Sequence, residues 1–496
     1  MIEKKPLNEP LLPPGVDDTS SPDPQVVKAP SPSCTTGVAW CPQVVKARAL
    51  ADPRALRRRI IFLSLPIFGE NLLEMSLDIV NTILVAALGA AALAGAGAAI
   101  QIMQIVLSAL AGLSTGGSIL VAHAVGADNP AEGTRLARQA LMWSFIIFTP
   151  MAVMGVILAP GLAGIFGLPP DATAMTASYL SVSLGAVPVL AMLMMSSGVL
   201  RGAGDARTPM YVTIGANVVN MTLAFVLIHG HWGAPELGVT GAAIASAISR
   251  TLALVVLVWL MARGRAGVSL SRPVGTILVS WKPRWDAAKA ILHLGLPAAG
   301  EQLVISTAWL VFTMVVSRLG TASMAAQRVQ MSVQGLVFLP ALALMIATTT
   351  LVGQALGSGR PALARQVAGR TERWAFGVAV MLGVLVAIFA KPLVHVFTTD
   401  PVVVDIAVRT LPVMMLAQPF WAFTIQNSGA LRAMRAPMSP LIVEAISNWT
   451  VVVIAWIIVS AGGGLTAAWF SFVIMAAPTS LAMMWRKRVE AQRLAV

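Results

Sequence analysis

The sequence predicts an all-α polytopic membrane protein with twelve transmembrane helices, built as two six-helix parallel repeats that form a two-lobed bundle. Three observations lead there. Of 496 residues, 57% are hydrophobic and only 11% are charged, whereas a soluble domain carries roughly 25% charged residues. Twelve apolar segments follow one another, each able to form a helix of about 20 residues that crosses a bilayer. The third observation is a duplication. Sliding the chain by 231 residues aligns Pro66 with Pro297, Glu70 with Glu301, Gly126 with Gly357, Trp143 with Trp374, Arg201 with Arg432 and Asn217 with Asn448, without a gap. An offset held over that length marks an internal repeat. Six is an even number, so both units enter the membrane from the same side and are related by an axis along its normal, as in some secondary transporters.

The elements follow in order. Residues 1–52 hold nine prolines and read as a disordered cytoplasmic tail rather than a signal peptide. The tail carries "PQVVKA" twice, read as a small local duplication, and the only two cysteines, Cys34 and Cys41, with no CxxC or His pair to suggest a disulfide or metal site. A first lobe, 53–262, contains apolar segments at 58–88, 96–124, 138–165, 174–199, 209–229 and 238–262, with turns such as "GADNP" and "GLPPD" between them. A basic linker, 263–288, divides the chain. The second lobe, 289–485, repeats the order at 289–317, 323–353, 371–397, 404–430, 438–460 and 464–485, and a basic tail, 486–496, ends it.

The net charge of +13 is distributed by topology, not gathered into a nucleic-acid surface. Of 34 Lys and Arg, 29 fall before Arg59 or at it, in alternate loops, or at the C-terminus, while the intervening loops hold only Arg318, Lys391 and Arg409. That alternation places both termini in the cytoplasm of a cell whose inner membrane the chain spans.

Within this frame "LPIFGENLL…LGAAALAG", "GVLRGAGDARTPMYVTIGANVVN" and "LGVTGAAIASAISR", repeated in part as "LGLPAAGEQLV…LGTASMAAQ" and "GALRAMRAPMSPLIVEAISN", resemble the multidrug and toxic compound extrusion (MATE) family over about residues 58–485. The resemblance implies a twelve-helix, two-lobed antiporter that exports amphipathic, usually cationic, organic molecules against proton or sodium entry. Two family acids have no counterpart: the first-span Asp falls on Asn81, and the second-half acid falls on Ile305.

The first span carries Glu70, Glu74 and Asp78 with no Lys or Arg between Arg59 and Arg135. At about 100° per residue these acids, with Asn71 and Asn81, share an arc of about 100°. Such a face looks into a polar interior, because a charge at mid-bilayer costs at least ~2.5–3.5 kcal/mol. Only Arg250 and Arg328 read as lying within spans, too few to neutralise Glu70, Glu74, Asp78, Glu301 and Glu444, so some acids are expected to hold a proton or bind a cation. Glu301 matches Glu70, but Ile305, Trp309 and Phe312 stand at the places of Glu74, Asp78 and Asn81. The expected ion-coupling residues are therefore Glu74, Asp78 and Asn81 with Glu70, and a Na⁺ ion is the one metal they would take. Expected cavity and substrate residues are Glu301, Gln302, Asn217, Asn220, Glu444 and Asn448, and Pro66 is the expected hinge. The run "AMLMMSS" reads as packing methionines, and the Arg201–Pro209 turn as structural.

No nucleotide-binding GxxxxGK[ST] loop, HExxH or acid-rich DDxxD cluster occurs, so no cofactor and no enzyme activity are expected. The expected partners are small organic cations, lipid and H⁺ or Na⁺, with the protein a monomer. The competing readings are a flippase or exporter of a lipid-linked or other endogenous metabolite, and a membrane-embedded enzyme.

Overall fold

The computed structural model describes residues 53–233, 235–264, 270 and 282–494. The N-terminal tail with its cysteines and repeated hexapeptide, and most of the 263–288 linker, lie outside the described residues. The first half folds as α1 (Pro53–Ala86), α2 (Ala90–Gly126), α3 (Pro130–Gly164), α4 (Pro170–Gly185), α5 (Val187–Ala203), α6 (Arg207–His229) and α7 (Gly238–Ala262). The second half folds as α8 (Trp285–Ser317), α9 (Thr321–Gly357), α10 (Pro361–Ile388), α11 (Ala390–His395), α12 (Pro401–Ala433), α13 (Met438–Ser460) and α14 (Leu465–Arg493). No strand occurs among the described residues. Eleven of these helices are long and apolar enough to cross a membrane, and α4 with α5, bent by 49°, makes a twelfth crossing.

Helix limits repeat as the residues do. Adding 231 to the ends of α2 gives those of α9, and the same shift carries α6 onto α13. The turns repeat too: Gly89 and Gly320 hold positive φ before α2 and α9, and Gly204 and Arg435 hold it after α5 and α12. The breaks differ between halves. Pro188, without an N–H to donate, stands just after the α4–α5 bend, whereas its counterpart Pro419 sits within an unbroken α12.

The buried core divides into four clusters, and two of them cross the sequence boundary. Leu56, Ile60, Leu63 and Ile67 of α1 are buried among Ala343, Leu344, Ala347 and Leu351 of α9 and neighbouring second-half residues. Their repeat counterparts behave reciprocally: Ile291 and Leu294 of α8 are buried among Leu110, Leu113 and Leu120 of α2 in the first-half core. The remaining clusters stay within one half, one around Val85, Ala96, Ala224 and Val239, the other around Phe312, Val333, Leu411 and Trp469. Each lobe at the end carrying the basic turns thus includes the opening helix of the other half. This sharpens the 53–262 and 289–485 division, which describes the repeat but not these cores.

Small residues make the exchange possible. With no hydrophobic gain between helices in lipid, close packing of small side chains holds them together. A Cβ on Gly112 would lie 2.3 Å from the Ala299 nitrogen, and one on Gly116 would lie 2.6 Å from the Ile291 oxygen. At the basic end α2 crosses α9 with two-fold reciprocity: a Cβ on Gly126 would lie 2.1 Å from the Gln354 oxygen, and one on Gly357 would lie 2.1 Å from the His123 oxygen. Both obstacles are backbone, so neither can swing aside. Gly126→Ala and Gly357→Ala are each expected to lower Tm by the equivalent of about 1–3 kcal/mol of overpacking. Gly161→Ala, facing open space in α3, should leave Tm unchanged in a thermal scan in the same detergent.

Candidate functional site

Two buried ion pairs organise the interior, and they are copies of one another. Arg201 Nη1 donates to Glu70 Oε2 at 3.0 Å, joining α5 to α1. Arg432 Nη2 donates to Glu301 Oε1 at 2.6 Å, joining α12 to α8, and Ser428 Oγ donates to the same oxygen at 2.9 Å. This corrects the inventory of basic partners: Arg201 and Arg432 lie in the last turns of α5 and α12 with their guanidinium groups turned inward. Glu70 and Glu301 are thereby compensated, as a carboxylate held in hydrocarbon must be. The signal was present in the duplication, which retains the acid and the arginine at one offset.

Further along α1 the acids have no such partner. Glu74 and Asp78 are exposed on α1 and make no ion pair, while the charges of Glu70, Arg201, Arg250 and Asp78 bear on Glu74 and that of Arg250 on Asp78. Tyr179 of α4 belongs to the same half and feels the charges of Asp78 and Arg250. These groups all belong to the first half, which gathers the two carboxylates and their charged neighbours within one repeat. Asn81 is half-buried, with an Oδ1 that finds no partner, and Asn71 Nδ2 is likewise buried and unpartnered. Asn217 Nδ2 donates to the Leu73 oxygen at 3.0 Å and fixes α6 against α1. Asn220 Nδ2 donates to Ser246 and Ser249 at 3.0 and 3.2 Å, tying α6 to α7. Both asparagines act as interhelical bonds.

The second half is built differently at the matching place. Trp309 and Phe312, the counterparts of Asp78 and Asn81, join Trp421, Trp469 and Phe472 in one aromatic cluster, with Trp309 stacked on Phe472 at 5.1 Å between ring centres. Aromatic rings therefore stand in the second half where the first half carries an acid and an amide. Gln302 is exposed on α8. Glu444 of α13 is half-buried and accepts from Asn448 Nδ2 at 2.8 Å. Met195, from the methionine-rich run, is 1% exposed within the first-half core.

At the basic end, two cross-connections escaped the sequence reading. His123 Nε2 lies 2.8 Å from the Ala433 oxygen, and Gln354 Nε2 donates to the Gly202 oxygen at 2.9 Å. His123 corresponds to Gln354 and Gly202 to Ala433 at the offset of 231, so each half binds the last turn of the other's α5 or α12. The different side chains at these counterpart positions hid the pair.

Removing one member of a buried pair leaves a bare charge, which costs about 3–5 kcal/mol, whereas replacing both with apolar groups is often neutral. Arg432→Met should therefore lower Tm far more than the double variant Glu301→Leu/Arg432→Met, read by thermal unfolding in detergent.

Known proteins align over the same region. A profile of the MatE family matches residues 66–226 and 297–457, two stretches separated by the repeat offset. The probable multidrug resistance protein NorM of Thermotoga maritima is 32% identical over 428 residues, covering 84% of this chain and 89% of that protein. The FAD transporter of Shewanella oneidensis is 24% identical over 388 residues, covering 78% of this chain and 84% of its own. Among solved structures, one described as the outward-facing conformation of a multidrug resistance MATE family transporter of the MOP superfamily matches with a TM-score of 0.82 at 22% identity, covering 91% of this chain and 98% of that one. A MOP superfamily transporter from Pyrococcus furiosus, for which reverse polarity of the binding pocket suggested a different function, also matches with a TM-score of 0.82 at 22% identity, over 91% and 99%. Those likenesses carry the fold, and the profile match in both halves with the 32% identity carries the membership: the chain belongs to the MATE family of transporters.

Proposed function

We propose that the protein is a secondary active antiporter of the cytoplasmic membrane, exporting amphipathic organic cations in exchange for H⁺ or Na⁺ by alternating access of its two lobes. The observation that carries this reading is the pair of carboxylates, Glu74 and Asp78, on the transmembrane helix α1 without an ion-paired arginine of their own. Such groups bind a cation or a proton more readily than they remain bare at membrane depth. Asn81, with its free Oδ1, completes the ion site, and Glu70 sets the local charge through Arg201. With the basic end in the cytoplasm, the α2–α9 crossing closes the inner side and the ion site loads from outside. Pro66 lies where α1 changes partner, from the second-half core at Ile67 to Arg201 of its own half at Glu70, which suits a hinge. The chain acts as a monomer in this scheme, and no cofactor takes part.

A second reading draws on Arg250, which faces the same acids: a cargo carrying both signs of charge, such as an endogenous metabolite, would use all three groups. One of the relatives is named an FAD transporter, and FAD is an endogenous metabolite.

In proteoliposomes with ΔpH and ΔNa⁺ imposed separately, one gradient should drive export of a fluorescent organic cation. Glu74→Gln and Asp78→Asn should each reduce gradient-driven transport at least tenfold, while wild-type rates in both variants would refute the ion site. Arg250→Gln should leave export of the cation intact under the first reading and abolish transport of a doubly charged metabolite under the second, measured as radiolabel uptake into inverted vesicles.

A further inference from the structure

The second half holds a charge arrangement that the acids of α1 do not explain. Around the Glu301–Arg432 pair stand two carboxylates and one guanidinium, because Glu444 of α13 has Glu301 and Arg432 as its charged neighbours. The first half has the same excess of one, with Glu70, Glu74 and Asp78 set against Arg201 and Arg250. The surplus comes from a different helix in each half. Ile305 replaces Glu74 in α8, and Thr213 stands in α6 where α13 has Glu444. Each lobe is left with one carboxylate in excess of the arginines around it.

The excess acid has a counterpart waiting for it. Glu301 is 3% exposed, and while its Oε1 takes Ser428 and Arg432, its Oε2 is buried without any partner. Glu444 is fixed by Asn448 Nδ2 at its Oε2. Among the described residues no other charge is set against the pair. Of the elements packed on α13, α8 supplies Glu301 and α12 supplies Arg432, while Arg486 of α14 is engaged by Ser439 at 3.0 Å. The two helices pack on one another, and a buried, unpartnered carboxylate oxygen with a second carboxylate on the adjoining helix lacks a hydrogen atom.

We propose that Glu301 and Glu444 form a proton-binding site in the second half, separate from the acids of α1. A proton from water joins one carboxylate as an O–H, supplies the donor that Glu301 Oε2 lacks, and returns to water on release. A sodium ion fits worse, since the Arg432 guanidinium already sits 2.6 Å from Glu301 and would repel it. The site stands independently of the coupling role given to Glu74 and Asp78.

The test is infrared difference spectroscopy of the full-length protein in lipid, titrated through pH, reading carboxylic-acid C=O bands. One component should be lost in Glu444→Gln, which keeps the acceptor for Asn448. It should shift in Glu444→Asp, which keeps a titrating acid, and persist in the Glu74→Gln/Asp78→Asn variant. A spectrum unchanged in both Glu444 variants would overturn the proposal, as would loss of that component in the α1 variant or its displacement by added Na⁺ at constant pH.

Discussion

The rest of the structure depends on the cost of an uncompensated charge in a membrane interior. Four acids of α1 and α8 and their neighbours face that cost, and the bundle answers it unequally. Glu70 and Glu301 each receive an arginine from the last turn of α5 or α12. Those arginines cannot be replaced by longer-range charges, because the pairing holds the first helix of each half against the helix that follows the bend or break. What remains unpaired then becomes informative. Glu74 and Asp78 have no ion-paired arginine of their own, so the rule that builds the scaffold also singles out the two acids it leaves uncompensated.

Duplication gave the protein two copies of this scheme and substitution made them different. In the first half the space around Asp78 is polar, and the charge of Arg250 bears on it. In the second half five aromatic rings occupy the equivalent space, packed edge to face and stacked. Such a cluster excludes water and resists rearrangement, since rings in mutual contact have few alternative rotamers. One lobe is therefore adapted to hydration change and the other to rigidity at the same depth, which divides the labour between them.

Much of this was legible from the residues alone. The repeat offset was read from the residues, and helix limits, turns and sites of positive φ in the structure follow it, because a duplicated sequence carries its steric requirements with it. The acid stripe of α1 was visible as a helical arc. Partnership was the illegible part. Arg201 reads as a loop arginine when spans are drawn by hydropathy, yet the last turn of a helix can reach several ångströms inward on a long flexible stem. His123 and Gln354 are chemically unlike, so their reciprocal role emerged only from the backbone geometry that brings both to the opposing half. The exchange of α1 and α8 between cores was likewise hidden, since apolar helices look alike whichever core they enter.

That exchange has a consequence for how the protein is made. The first-half core is incomplete until Ile291 and Leu294 arrive, and those residues leave the ribosome after all six spans of the first half. Until then the crevice along Gly112 and Gly116 of α2 stands open to lipid, and Leu56, Ile60 and Leu63 wait for a second half that has not been synthesised. Biogenesis is thus a clasp closed from both sides late in translation. Neither half expressed alone would carry a finished interior, and two halves supplied as separate chains would have every reason to find each other.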